Sequence, residues 1–297
     1  MFANRLLSCS LLAMLAAGLS GCERRVDAGP RADRAAATQL RKLLLAKAEA
    51  KPEGGEAATE QPVTGWGTLH AQVKFVGAPP KPKPIDANKD QHVCAKHPLV
   101  EEGLVVGPDG GLANTVIFLR TSKTPVHPDY AASAEAEVVL DNARCRFEPH
   151  VQVLRTTQTL VVKNSDNVGH NSKIDGFANP GFNGLIPAHS ALSQKFSKEE
   201  SNPIPVGCNI HPWMKGWVVV RSDPYAAVSN THGELTIAKL PAGRELEFQL
   251  WHETGGFLKT ASTEGVKLYG KGRFKVKLDP DQELKITINV PAEGFSK

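Results

Sequence analysis

Methionine is nearly absent from this chain: it occurs at Met1, Met14 and Met214 and nowhere else. A core that relied on flexible thioethers to fill gaps would use them more freely. Cysteine is also sparse, with Cys9, Cys22, Cys94, Cys145 and Cys208. Net charge is low, +4 over 297 residues, and no basic run interleaves with aromatics, so nucleic acid is not an expected partner. No helical period of useful length follows residue 65. A nucleophile elbow, a phosphate loop and a metalloprotease helix are all missing, which removes the commonest hydrolase and nucleotide chemistries. The apolar stretch Leu6–Leu19 is too short for a comfortable membrane span.

That stretch, preceded by Arg5, reads as a secretory leader over residues 1–22. It ends Leu19-Ser20-Gly21-Cys22, which looks like a bacterial lipobox and implies cleavage before Cys22 and lipidation of its sulfur. The expectation is an exported periplasmic or cell-surface lipoprotein, anchored to a membrane rather than spanning it. Residues 23–66 read as a tether. Its part from 31 to 50, rich in Ala, Leu, Lys and Glu, favours helix. Residues 51–65, with Pro, Gly, Glu and Thr, form a linker.

Beyond Gly67 the chain is written in short β-prone runs bounded by Gly, Pro, Asn and Asp. Ten stand out: Leu69–Val76, Asn114–Arg120, Glu137–Leu140, Val151–Arg155, Thr159–Lys163, Gly216–Arg221, Glu234–Ala238, Glu245–Trp251, Arg273–Leu278 and Glu283–Val290. Several alternate apolar and polar residues, the period of a half-buried strand. The fold class expected is all-β, with antiparallel β-sandwiches. A boundary near residues 222–230 gives one domain over 67–224 and a smaller β-sandwich over 225–297.

Chemistry concentrates in Gly207-Cys208-Asn209-Ile210-His211-Pro212-Trp213-Met214. A thiolate, an imidazole and a thioether within seven residues are soft ligands that favour copper at a trigonal His₂Cys site with a weak axial Met. The second imidazole is supplied by His170, in Val162-Lys163-Asn164-Ser165-Asp166-Asn167-Val168-Gly169-His170-Asn171. Met214 is the only methionine past the leader. In an exported protein an odd thiol needs a reason. A Cys94–Cys145 disulfide with Cys208 as a metal thiolate resolves the parity, although two other pairings remain open. His92, Cys94, His97, Cys145 and His150 could be drawn as a second metal site, for which the disulfide is the simpler reading. His150 and His189 are spare imidazoles suited to surface or satisfied structural roles.

The pairing of Val168-Gly169-His170-Asn171 with Cys208-x-x-His211-Pro212-Trp213-Met214 and Val218-Val219-Val220 resembles the cupredoxin (type 1 blue copper) family, amicyanin- and plastocyanin-like members above all. The resemblance covers residues 145–221 and leaves open whether 67–144 belong to the same sandwich. It implies one copper ion held by His170, Cys208, His211 and Met214. It also implies that Asn171 braces the ligand loop, and that His211 lies near the surface where an electron enters or leaves. Residues 230–255 resemble a carboxypeptidase-regulatory-like module. The whole layout is similar to bacterial lipoproteins labelled methylamine-utilisation proteins, a label that carries no role by itself.

The function expected is a membrane-tethered electron-transfer module that serves an unidentified redox partner protein, with no enzymatic reaction and no small-molecule substrate. Copper delivery is a competing class, and surface interaction with an incidental copper site is another. A copper nitrite reductase would need a further three-histidine copper, for which no set can be assembled.

Overall fold

Alternating apolar residues need a second layer to bury against, and the chain supplies four such sheets. The computed structural model describes residues 34–49 and 62–295. The leader, Cys22 and the linker from 50 to 61 lie outside the described residues. Helix α1 (Arg34–Glu49) has exposed side chains over residues 35–42. No helix among the described residues is long and apolar enough to cross a membrane.

From residue 66 onward the chain is all-β. The first strands are β1 (Trp66–Val76), β2 (Val116–Leu119), β3 (Glu137–Ala143), β4 (Arg146–Glu148), β5 (Val151–Arg155) and β6 (Thr159–Asn164). Next come β7 (His170–Ile174), β8 (Phe182–Ile186), β9 (Ala191–Lys195), β10 (Ile204–Gly207), β11 (Lys215–Arg221), β12 (Ala226–Val228) and β13 (Glu234–Pro241). The last are β14 (Glu245–His252), β15 (Gly256–Phe257), β16 (Ser262–Glu264), β17 (Leu268–Tyr269), β18 (Arg273–Lys277) and β19 (Glu283–Pro291). A four-residue helix, α2 (Gln91–Cys94), sits between β1 and β2.

Two sandwiches result. One pairs the sheet β13-β1-β19-β16 with the sheet β12-β2-β14-β18-β17, to which β15 adds. Leu69, Val73, Ile237, Ile286 and Ile288 from the first sheet meet Ile117, Leu119, Phe248, Leu250 and Phe274 from the second. The other sandwich pairs β5-β11-β10-β7-β8 with β4-β3-β6-β9. Its core joins Leu154, Ile174, Ile204, Val206, Val218 and Val220 to Leu140, Phe147, Leu160 and Val162. Most pairings are antiparallel; β1 with β19, β5 with β11 and β3 with β6 are parallel.

Sheet membership does not follow the expected boundary at 224/225. Strands β1 and β2, placed by sequence in the first domain, are interior strands of the sandwich otherwise built from residues 226–291. The second sandwich, residues 137–221, is therefore inserted into the first, and residues 67–119 do not complete it. The physical reason is that alternation marks a strand without naming its partner. The insert's two ends both lie against the turn between β5 and β6: the Thr156 N–H donates to Arg221 O at 2.8 Å, and the Thr157 hydroxyl donates to Ala134 O.

The sandwiches press sheet against sheet. In Val116-Ile117-Phe118-Leu119 every residue is buried, because Ile117 and Leu119 face their own core while Val116 and Phe118 face the insert. Trp217 and Val219 of β11 do the converse, packing with Trp251 on the outer face while Val218 and Val220 fill the inner core. A strand buried on both faces reads as a continuous apolar run. The Arg221 guanidinium crosses this junction, donating to Leu119 O at 2.6 Å and pairing with Glu199 at 2.6 Å.

Candidate metal centre

At one end of the insert, β7, β10 and β11 deliver His170, Cys208 and His211. One ligand atom from each lies within 4.8 Å of the others, and all three residues are buried. The loop from β10 to β11 is closed by its own backbone: Met214 N–H donates to His211 O at 2.9 Å and Cys208 N–H to Met214 O at 3.4 Å. That tight turn brings His211 Nδ1 to 3.8 Å from Cys208 Sγ. Met214 is buried in the same core cluster as Cys208. Asn171 Oδ1 accepts the N–H groups of Asn209 at 2.7 Å and Ile210 at 3.2 Å, and lies 3.5 Å from Cys208 Sγ.

His170 is oriented from behind. Its Nε2–H donates to Asp166 Oδ2 at 2.9 Å, leaving a buried Nδ1 with no hydrogen-bond partner. Asp166 is held in turn by the backbone N–H groups of Arg144 at 2.7 Å and Cys145 at 2.8 Å. Those two residues form the turn between β3 and β4, both at φ 55°. Positive φ at two successive non-glycine residues is uncommon, and the carboxylate facing both N–H groups helps hold the turn. Asn164 shapes the approach by donating to Val168 O and Ile186 O at 2.8 and 2.9 Å.

The electrostatics suit a soft cation. Burial alone would raise the Cys208 thiol, but the adjacent imidazoles of His170 and His211 outweigh it and pull the group down to about 6. Burial would lower His170, yet its contacts with Asp166 and Cys208 raise it to about 8. Asp166 is kept below the usual carboxylate range: burial opposes this, and the bonds from His170, Cys145 and Arg144 prevail. A copper ion fits this donor set on an observation internal to the site. Both imidazoles have Nε2 engaged by a carboxylate, so Nδ1 is the ring nitrogen each has left for a cation, and His211 Nδ1 already lies 3.8 Å from Cys208 Sγ.

Cys145, Asp166 and His170 also cluster within 4.8 Å. Cys145 is bonded to Cys94 in a disulfide, so it offers no thiolate there. The pairing expected from parity is the one found, and Cys208 is the free cysteine among the described residues.

Part of the chain aligns with solved structures of cupredoxins and of a copper enzyme. An amicyanin variant in its Cu(I) state aligns with TM-score 0.26 and 19% identity, over 35% of this chain and 98% of that one. A purple cupredoxin from Nitrosopumilus maritimus aligns with TM-score 0.24 and 21% identity, over 29% and 99%. A copper-containing nitrite reductase from Thermus scotoductus aligns with TM-score 0.27 and 18% identity, over 35% of this chain and 25% of that one. No family model matches the chain, and no curated protein does.

His211, placed near the surface by the family resemblance, is fully buried beneath one residue: its Nε2–H donates to Asp90 Oδ2 at 2.9 Å, and the Asp90 side chain is 37% exposed. Asp90 precedes α2 in a segment the sequence reading gave no part in the site. Trp213 lies beneath it, its ring 5.2 Å from that of His211 and its indole N–H on Cys145 O at 3.1 Å. His150 has the satisfied structural role expected of it: its side chain is buried between Glu253 and Glu102, beside a cavity of about 490 Å³ that Trp213 and Met214 line. His189 is exposed and pairs with Asn167 at 2.7 Å.

Asp166 was missed as well. It lies four residues before His170 within a motif already singled out, and a carboxylate so near a candidate imidazole ligand was the available signal. Asp90 gave no signal of that kind.

Proposed function

We propose that the chain holds one copper ion at His170, Cys208 and His211, with Met214 as the weak thioether ligand, and serves as an electron-transfer module. The carrying observation is the pair of imidazoles whose Nε2 atoms are both committed to carboxylates, with both Nδ1 atoms left beside one acidic, buried thiol. Bound there, copper supplies one-electron chemistry between two oxidation states that tolerate the same ligands. The protein's part is to fix distances. Strands β7, β10 and β11 hold the ligands from two sides, Asn171 pins the loop, and burial excludes water. No bond-making reaction and no small-molecule substrate belong to this reading.

The copper would be retained rather than delivered, because the ligands are buried and His211 is covered. The Leu19-Ser20-Gly21-Cys22 motif supports export and a lipid anchor on Cys22, with helix α1 in the tether and a redox protein outside the cytoplasm as partner.

The test is addition of Cu(II) to the full chain with visible absorption and electron paramagnetic resonance. An intense thiolate-to-copper band with narrow hyperfine splitting is expected, lost in Cys208→Ala and unchanged through repeated oxidation and reduction. A colourless protein, or colour that survives Cys208→Ala, would overturn the reading.

A further inference from the structure

Residues 83–101 fold back on themselves over the edge of His211. Ile85 N–H donates to Leu99 O and Glu101 N–H to Lys83 O, both at 2.9 Å, and α2 forms the tip. Every backbone hydrogen bond found for this stretch stays inside it. Among the described residues, two polar or covalent ties bind it to the rest of the chain. One is Asp90 on His211 at 2.9 Å and the other is the Cys94–Cys145 disulfide. Its apolar seat is small: Ala87, Cys94 and Leu99, with Ile85 and Val93, against Cys145 and Trp213. Asp90 itself sits in the left-handed region at φ 44°, a conformation that costs an aspartate free energy.

We propose that residues 83–101 are a lid over the metal centre and that the Cys94–Cys145 disulfide is its latch. A segment with so few ties opens locally at a cost well below that of global unfolding. The disulfide withholds that freedom, because it fixes the α2 end against the turn whose N–H groups hold Asp166. With the latch formed, solvent and reagents reach Cys208 and His211 only through rare openings. Metal therefore enters readily while Cys94 and Cys145 are dithiols and is trapped once an external disulfide oxidant, itself reduced to a dithiol, has taken their two electrons and two protons and joined them. Cys94 and Cys145 are themselves fully buried, so the closed latch is protected from reductants. Trapping of metal rests on the copper reading above; shielding of the thiol does not.

The test uses the full chain without metal. Iodoacetamide labelling of Cys208 is followed on its own peptide by mass spectrometry, so that Cys9 and Cys22 do not contribute. Wild type, Asp90→Ala and Cys94→Ser/Cys145→Ser are compared, with native hydrogen exchange on the same samples. The serine pair should label at least tenfold faster than wild type and Asp90→Ala at an intermediate rate, with faster exchange confined to residues 83–101. Equal labelling in all three proteins overturns the lid. Should the serine pair unfold throughout, seen as fast exchange in β10 and β11, Asp90→Ala decides. Faster labelling with β10 and β11 still protected supports the lid, and unchanged labelling refutes it. In a parallel series, growth of the thiolate-to-copper band should speed up in the same order. A missing band in every protein would defeat the copper reading while leaving the labelling result intact.

Discussion

Asp166 grips His170 through Nε2 at 2.9 Å and with the same carboxylate takes the backbone N–H groups of Arg144 and Cys145. One side chain thus sets both the orientation of an imidazole and the shape of the turn behind it. Asp166→Asn should weaken copper binding by about 10- to 100-fold, the usual effect of losing a partner behind a ligating histidine. A competition titration against a chelator of known affinity measures it. Affinity equal to wild type would mean that packing alone orients His170.

Asn171 should show the same dependence on a single oxygen. Its Oδ1 takes two loop N–H groups and its Nδ2 donates to Asn183 Oδ1 at 2.9 Å. Asn171→Ala leaves those part-buried groups unmatched and should cost about 1 kcal/mol. Asn171→Asp, which keeps the acceptor, should cost less. Urea unfolding of the metal-free protein separates the two.

These two residues also show what could be read from the chain. His170, Cys208, His211 and Met214 lie in two short motifs whose residue types already belong together, and strands stand on both sides of each. All ten strands expected from alternation occur, with small shifts at their ends. Shorter strands escaped, β7 among them, because His170-Asn171-Ser172-Lys173-Ile174 is polar for a strand and is buried by the site it serves. The lid escaped for a different reason. Nothing in Pro79-Pro80-Lys81-Pro82-Lys83-Pro84 marks a strand or a ligand, and the disulfide, one carboxylate and a small apolar seat hold the residues after it against His211. The boundary between sandwiches was illegible because pairing across the whole chain leaves no local trace.

His150 gives a pH dependence apart from the metal site. Burial pulls its pKa down, but Glu102 and Glu253 together raise it to about 9. The unfolded imidazole titrates near 6.5, so the stabilisation is complete below that pH. It is then lost as pH rises through about 9. Unfolding free energy of the metal-free protein should fall across this window by on the order of 1–3 kcal/mol. His150→Gln should flatten the profile while lowering stability at neutral pH. A slope that survives the substitution would assign the effect elsewhere.

The insertion predicts which fragments fold. Residues 134–222 contain both sheets of the inner sandwich, and both ends are tied to its own turn between β5 and β6, so they should unfold cooperatively on their own. Their outer face would expose Trp217 and Val219. Residues 225–297 lack β1 and β2, each an interior strand of its sheet, and should show no cooperative transition by circular dichroism. A folded 225–297 fragment would require those strands to be dispensable.

The register of β1 against β19, Thr68 opposite Glu283 through Val76 opposite Pro291, sets a timetable. A chain made from its N-terminus produces β1 first and its parallel partner last, with β13 arriving only shortly before. Throughout that interval β1 carries two unsatisfied edges, the condition in which strands seek foreign partners. The inner sandwich, complete by residue 221, can fold meanwhile and hold β2 and β12 near each other across its buried outer face. An early stop or a slow final stretch would strand β1 unpaired. The nine residues of β19 thus decide whether the first strand of the chain is safe.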